Sequence, residues 1–219
     1  MKRILITAGP TREMLDPVRF LSNLSTGEMG YAIARQAQSR GLQVVLISGP
    51  ASLKPPAGVR FIPVTSVREM QKACAKEFPK CDTLIMTAAV CDFTAQHFHR
   101  QKIRRVRSRQ ILLKRTPDIV AGLARKKGRR LVVGFCLETE DWIENAKQKL
   151  KRKNLDGIVA NYYGKGHTPF GLRRIRTAFI DPGQGVARLP LSSKPQIARR
   201  LLGWIRNLEM KKSLGPKAI

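Results

Sequence analysis

Histidine is nearly absent from this chain, with 3 residues in 219, and the 4 cysteines show no CxxC spacing. These absences argue against His/Cys metal clusters and against a disulfide framework, so Cys74, Cys81, Cys91 and Cys136 are expected to be buried, inert thiols. Acidic residues are scarce as well: 15 Asp+Glu stand against 42 Lys+Arg, a net charge of +27. Such a field attracts polyanions, whether nucleotides, phosphorylated metabolites or nucleic acid, without choosing among them. No stretch approaches the roughly 20 apolar residues of a membrane span. The opening MKRILITAG enters a strand pattern and lacks a signal-peptide h-region and cleavage site. A cytoplasmic protein with no membrane partner is therefore expected. The basic residues also lack interleaved aromatics or a recognised nucleic-acid motif, so nucleic acid is not the expected partner.

Glycine is missing where a dinucleotide fold would need it. A G-x-G-x-x-G turn should follow the first strand directly, yet after Gly9 the next glycine is Gly27, leaving only Gly27-x-x-Gly30. Walker A and YxxxK patterns are absent too. These gaps lower an NAD(P)-dependent oxidoreductase or P-loop assignment.

What the chain does contain is a series of short apolar runs punctuated by Gly and Pro, alternating with helical patterns. Runs at 4–7, Gln43–Ser48, 59–64, 82–87, 131–136 and 155–160 read as strands, the third being an edge or strand end because of Pro63. Ser66 with Glu69 marks a helix start, and a helix is expected from Thr116-Pro117 to about Lys127. A basic amphipathic helix is expected over 140–153, and a last helix from Ser192/Ser193. The segments 176–180 and 186–189 read as a hairpin, a short strand is expected near 109–114, and the terminal MKKSLGPKAI is expected to fray. This spacing predicts an α/β protein with a Rossmann-like, doubly wound, mostly parallel sheet and a small hairpin extension at about 174–190. One domain over 1–210, followed by a basic tail at 211–219, is expected.

The stretch DPVRFLSNLSTGEMG at 16–30 organises the rest. It is expected to be a long polar loop between the first strand and a helix beginning near Thr26-Gly27, and it carries Arg19, Ser22, Asn23, Ser25 and Thr26. A buried strand opening into such a loop is where open α/β sheets bind anions. Other candidates are Asp92, a strand-end carboxylate, and the basic segment QKIRRVR with Lys102, which can set a charge on a phosphate. The helix start Thr116-Pro117-Asp118-Ile119 offers free N–H groups, and Phe135 offers a ring for stacking or core packing. Lys149 and Lys153 share one helix face.

Taken in order, ITAGPTRE, DPVRFLSNLSTGEMGYAIA, TAAVCDF, QKIRR, TPDIVAGL, VVGFCLET, AKQKLKRKNLD, IVAN and a late FG resemble the phosphopantothenoylcysteine synthetases (phosphopantothenate–cysteine ligases) over nearly the whole chain. The resemblance is to a stand-alone ligase without the flavin-dependent decarboxylase half, so no flavin is expected. It implies coenzyme A biosynthesis: 4'-phosphopantothenate, L-cysteine and CTP give phosphopantothenoylcysteine, CMP and pyrophosphate through an acyl-cytidylate, with Mg²⁺ accompanying the triphosphate and ATP as the alternative nucleotide. By the same matching, Lys102 stabilises charge on the α-phosphate, Asn23 holds the acyl-phosphate, and Arg19 serves the amide-forming half-reaction beside Ala88 and Ala89. Met86, Thr87, Ala88, Asp92, Lys102, Pro117, Asp118, Ile119, Val120, Phe135, Lys149 and Lys153 are the implied nucleotide-binding residues. No metal ligands are assigned, and a homodimer is implied. The alternatives are a non-catalytic RNA- or polyanion-binding protein on the same fold, favoured by the charge, and the oxidoreductase disfavoured above.

Overall fold

Apolar runs that end in Gly or Pro build the central layer. The computed structural model describes residues 1–105, 110–164, 166, 168–171, 174–183 and 185–213. Its elements in order are β1 (Arg3–Ala8), β2 (Arg12–Asp16), β3 (Arg19–Ser22), α1 (Glu28–Gln38), β4 (Gln43–Ser48), β5 (Arg60–Pro63), α2 (Val67–Glu77), β6 (Thr83–Met86), β7 (Phe93–Ala95), β8 (Leu113–Arg115), α3 (Ile119–Ala124), β9 (Leu131–Glu138), α4 (Trp142–Arg152), β10 (Gly157–Tyr162), β11 (Thr177–Ile180), β12 (Val186–Arg188) and α5 (Lys194–Ser213).

Eight strands form one sheet in the order β12-β11-β10-β9-β6-β1-β4-β5. From β5 to β10 the pairing is parallel throughout, and β11 and β12 close one edge antiparallel. The expected α/β class, the mostly parallel sheet and the late hairpin are all present, with the hairpin continuing the main sheet. Parallel strands buried on both faces read as near-continuous apolar runs, which is why RILITA, QVVLIS and LVVGFCLE stand out in the sequence. On one face Val67, Met70 and Cys74 of α2, Ile119 and Val120 of α3, and Ala146 and Leu150 of α4 pack against the sheet. On the other, Tyr31, Ile33 and Ala34 of α1 meet Ile197, Leu201 and Ile205 of α5. Each fully buried Leu or Ile contributes about 1.5–3 kcal/mol relative to exposure.

Three local expectations are corrected. The stretch after β1 is not an irregular loop: β2 and β3 pair as an antiparallel hairpin with a bulge between Met14 and Asp16. The helix expected from Thr116 starts later and is shorter. The Thr116 hydroxyl is spent on the Cys91 carbonyl, and Asp118 is the N-cap, its side chain accepting from Ala121 N at 3.0 Å. Finally, Met210–213 is helical within α5 rather than frayed, while residues 214–219 lie outside the described residues.

Candidate functional site

The chain runs from β1 to β4 on one side and from β6 to β9 on the other, so β1 and β6 flank the point where strand order reverses. Crevices at the carboxyl ends of strands at such a point are where open α/β sheets hold ligands. Here the loops leaving β1 and β6 are stitched together. Ala89 N donates to Gly9 O at 3.0 Å, Thr11 N to Ala89 O at 3.2 Å, and Ala88 N to the Thr7 hydroxyl at 3.2 Å. Helix α1 enters close above them. A Cβ on Gly30 would stand 2.5 Å from Ala8 Cβ and 2.7 Å from Thr87 Oγ1, so only glycine permits this approach.

Two compartments that share a wall open at this edge. The larger, about 650 Å³, is bounded by Met86, Ala88, Asp92, Pro117, Asp118, Ile119, Val120, Phe135, Lys149, Lys153 and Asn23. The smaller, about 180 Å³, lies between the start of α1 and the end of β9, and includes Thr87, Glu28, Asn161 and Lys194. Ala88, Ala89, Phe135, Cys136, Leu137 and Phe170 line both and form the shared wall. The fold thus brings every implied nucleotide residue except Lys102 to one or both compartments, from the ends of β6 and β9, the start of α3 and the face of α4. Lys149 of α4 and Lys153 just after it are not idle surface charges. Lys153 Nζ lies 3.0 Å from Asp118 Oδ2, and Lys149 pairs with Glu138. These pairs orient the ammonium groups along the rim; being partly exposed, each adds little stability.

Asn23, after β3, donates from Nδ2 to Ala89 O at 2.9 Å, which fixes its amide on the wall between the compartments. The same nitrogen also donates to Cys91 Sγ at 3.9 Å, a long and weak bond that a ligand oxygen can replace. Cys91 is buried beneath it, donating from Sγ to Thr11 O at 3.3 Å, and burial pushes its thiol pKa up. Cys136, in the shared wall, is pushed up to about 12 by burial, so it presents a neutral, apolar surface.

Arg19 and Lys102 line neither compartment. The Arg19 guanidinium lies 3.2 Å from Asp16 Oδ2 and donates to Ile103 O at 3.0 Å. Asp16 is fully buried and also accepts from the backbone N–H groups of Val18, Arg19 and Ile103. Burial alone would raise its pKa. The Ile103, Val18 and Arg19 N–H groups and the Arg19 charge outweigh it and hold the carboxyl below its ordinary value. Lys102 itself is exposed, on the connection between β7 and β8. That connection springs from the rim of the larger compartment, since Thr116 N closes its base by donating to Asp92 O at 3.0 Å. Residues 106 and 107 of the basic segment named from sequence, and residue 109 at the start of the expected 109–114 strand, lie outside the described residues.

Glu28, Asn161 and Lys194 were not legible as site residues. Buried Lys194 reaches Glu28 and the Gly171 carbonyl, tying the start of α5 to the first turn of α1. Among the described residues no group of three or more His, Cys, Asp or Glu is placed to hold a metal ion, and no helix is long and apolar enough to cross a membrane.

Residues 1–208 match the family described as DNA/pantothenate metabolism flavoprotein C-terminal domain. The chain belongs to this family. Among curated members, it is 44% identical over 204 residues to the coenzyme A biosynthesis bifunctional protein CoaBC of Bacillus subtilis, covering 92% of the chain and 50% of that protein. It is 41% identical over 210 residues to a cysteine/cysteine sulfinic acid decarboxylase of an unknown prokaryotic organism, covering 94% of the chain and 58% of that protein. The chain therefore spans about half the length of the curated relatives it matches. A crystal structure of the C-terminal domain of a CoaBC protein superposes with a TM-score of 0.81 at 39% identity, covering 95% of this chain and 94% of the other.

Proposed function

We propose that this protein joins 4'-phosphopantothenate to L-cysteine in coenzyme A biosynthesis, using CTP and acting as a homodimer. The observation that carries the reading is the larger compartment. Asp92, Pro117 to Val120, Phe135, Lys149 and Lys153 are far apart in sequence, are the residues implied to bind nucleotide, and converge on one cleft. The CoaBC likeness over nearly the whole chain supports the same assignment.

In this reading the base and ribose lie against Phe135 and the start of α3, and the pantothenate carboxylate approaches across Ala88 and Ala89. A carboxylate oxygen attacks the α-phosphorus, and the bond to the bridging oxygen breaks to release pyrophosphate. The cysteine amine then attacks the acyl carbon, loses a proton, and displaces CMP. Lys102 stabilises the charge that grows on the α-phosphate oxygens, an interaction stronger in the transition state than in the ground state. Asn23 holds the acyl-phosphate through the amide N–H that otherwise makes only the weak bond to Cys91 Sγ, and Arg19 serves the amide-forming step. The residues present fit a Mg²⁺ that arrives with the triphosphate: such an ion keeps waters and phosphate oxygens and needs only one or two carboxylates, for which Asp92 and Asp118 are at hand. When bound, it neutralises phosphate charge.

A second copy of the chain is the proposed cover for the exposed apolar side chains of the two hairpins, Val18 and Phe20 on one and Phe93, Phe98, Leu112 and Leu113 on the other. The decisive experiment follows pyrophosphate release with 4'-phosphopantothenate and either CTP or ATP, then adds cysteine. Release with CTP and cysteine-dependent CMP formation are expected; no pyrophosphate with either nucleotide sinks the reading.

A further inference from the structure

Lys102 is assigned the central electrostatic task, yet its side chain is exposed on a long connection between two short strands. Something must fix where its backbone begins, because a side chain on a mobile root loses the entropy that positioning is meant to spare. The adjacent peptide shows how. Ile103 is buried, and both polar groups of its backbone are captured by the β2–β3 hairpin. Its N–H donates to Asp16 Oδ2 at 3.0 Å, and its carbonyl accepts from Arg19 Nη1 at 3.0 Å. The same Arg19 nitrogen lies 3.2 Å from Asp16 Oδ2, closing a ring of three contacts around one peptide. Four residues earlier in the segment, His99 N donates to Leu15 O at 3.0 Å, so the connection is fastened to the hairpin at two points.

We infer that Asp16 is a positioning residue for the ligase reaction: with Arg19 it clamps the Ile103 backbone and thereby sets the root from which Lys102 works. The inference rests on the proposed role of Lys102. Asp16 suits the task because it is fully buried and turns all its acceptor capacity inward, onto Val18, Arg19 and Ile103. A buried carboxylate supplied with that many donors is a rigid anchor, and charge-assisted hydrogen bonds to it are the strong kind. The clamp also gives Arg19 an indirect route to the chemistry, through Ile103 and Lys102, in the conformation described.

The test compares Asp16→Asn with the parent chain in three measurements: hydrogen exchange of the 98–105 segment, nucleotide affinity, and the rate of pyrophosphate release per folded molecule. Asparagine keeps the shape but replaces one acceptor oxygen with a donor, so Ile103 N–H loses its partner or gains a like donor. Exchange in 98–105 should rise at least tenfold and the rate fall at least tenfold. The nucleotide dissociation constant should change less than twofold, because the cleft residues are untouched. A variant with a lower melting temperature but an unchanged rate per folded molecule overturns the inference, as does a rate loss matched by the loss of affinity. If Asp16→Asn does not fold, Arg19→Ala removes the partly exposed half of the clamp and is held to the same three criteria. A parent chain that releases no pyrophosphate defeats the proposed function itself. A parent that does, with Lys102→Gln crippled and the clamp variants fully active, defeats only the clamp.

Discussion

Replacing a helical glycine by alanine normally stabilises a helix, by about 1 kcal/mol. Two glycines of this protein should respond with opposite signs. Gly203, on the exposed side of α5, has nothing within 4 Å of the position a Cβ would take, so Gly203→Ala should gain most of that increment. Gly30, in the first turn of α1, faces Ala8 Cβ at 2.5 Å, Thr87 Oγ1 at 2.7 Å and Thr7 O at 3.0 Å. None of these is the end of a flexible side chain. Ala8 and Thr7 belong to the central strand β1, and the Thr87 hydroxyl is held by Thr7 O. The helix must therefore be displaced, at an overpacking cost of about 1–3 kcal/mol, less the propensity gain. The net expectation is a loss of up to about 2 kcal/mol, against a gain of about 0.5–1 kcal/mol for Gly203→Ala. In a domain of this size 1 kcal/mol shifts the melting temperature by about 2–4 °C. Melting followed by near-UV circular dichroism should then rise for Gly203→Ala and fall for Gly30→Ala. Equal increases in both variants would refute the close approach of α1 to the β1 and β6 ends. Gly30 also lines the smaller compartment, so its alanine variant should bind substrate more weakly even when fully folded.

The other expectations are simpler to check. Lys102→Gln should slow pyrophosphate release about 10²–10³-fold, the scale of removing one charge-stabilising donor, with the melting temperature unchanged; an equal rate would take Lys102 out of the mechanism. Asp118→Ala removes the α3 cap and should cost about 1 kcal/mol by urea denaturation while also freeing Lys153, which a nucleotide-binding titration should register as weaker affinity. Because Asp16 is held below its ordinary 3.8, the clamp should be complete above that pH and lost as the pH falls through the lower folded value. Exchange of the Ile103 amide, corrected for its intrinsic rate, should stay flat from about pH 8 to 5; a rise within that window contradicts a depressed carboxyl. Leu112→Asp should shift the sedimentation coefficient to that of a monomer if the hairpins meet a second copy.

The sheet was readable because its strands are buried on both faces. QVVLIS ends at Gly49-Pro50, and nothing competes with its burial, so its bounds follow from the apolar run alone. The Ser66 cap was likewise local, with Glu69 N donating to its hydroxyl at 3.2 Å. The β2–β3 hairpin was not readable. REMLD and RFLS mix charged and apolar residues, and what pairs them is a distant requirement, the docking of Ile103 and of the β6 loop. Thr116, just before Pro117, was the expected cap; the distant Cys91 carbonyl takes its hydroxyl, and Asp118 caps α3 instead. The larger compartment was foreseen through family likeness, residue by residue. The smaller one was not, because Glu28, Asn161 and Lys194 meet only once α5 has returned to the start of α1, and nothing in their local sequence marks that meeting.

The shared wall has a consequence for how this site can change. Its floor is β9, hydrogen-bonded on both sides between β6 and β10, whereas its rim is a short helix start, two small hairpins and ion-paired lysines. Floor and rim can therefore be altered almost independently. Substitutions at Lys149 or Lys153, both partly exposed, change the charge at the rim of the larger compartment at little risk to folding, while a larger side chain at Gly134, where a Cβ would already stand 2.7 Å from Leu155 Cδ1, must displace a buried core side chain. For a protein engineer, the charge of the rim is a surface problem here, and keeping the two compartments joined is a core problem.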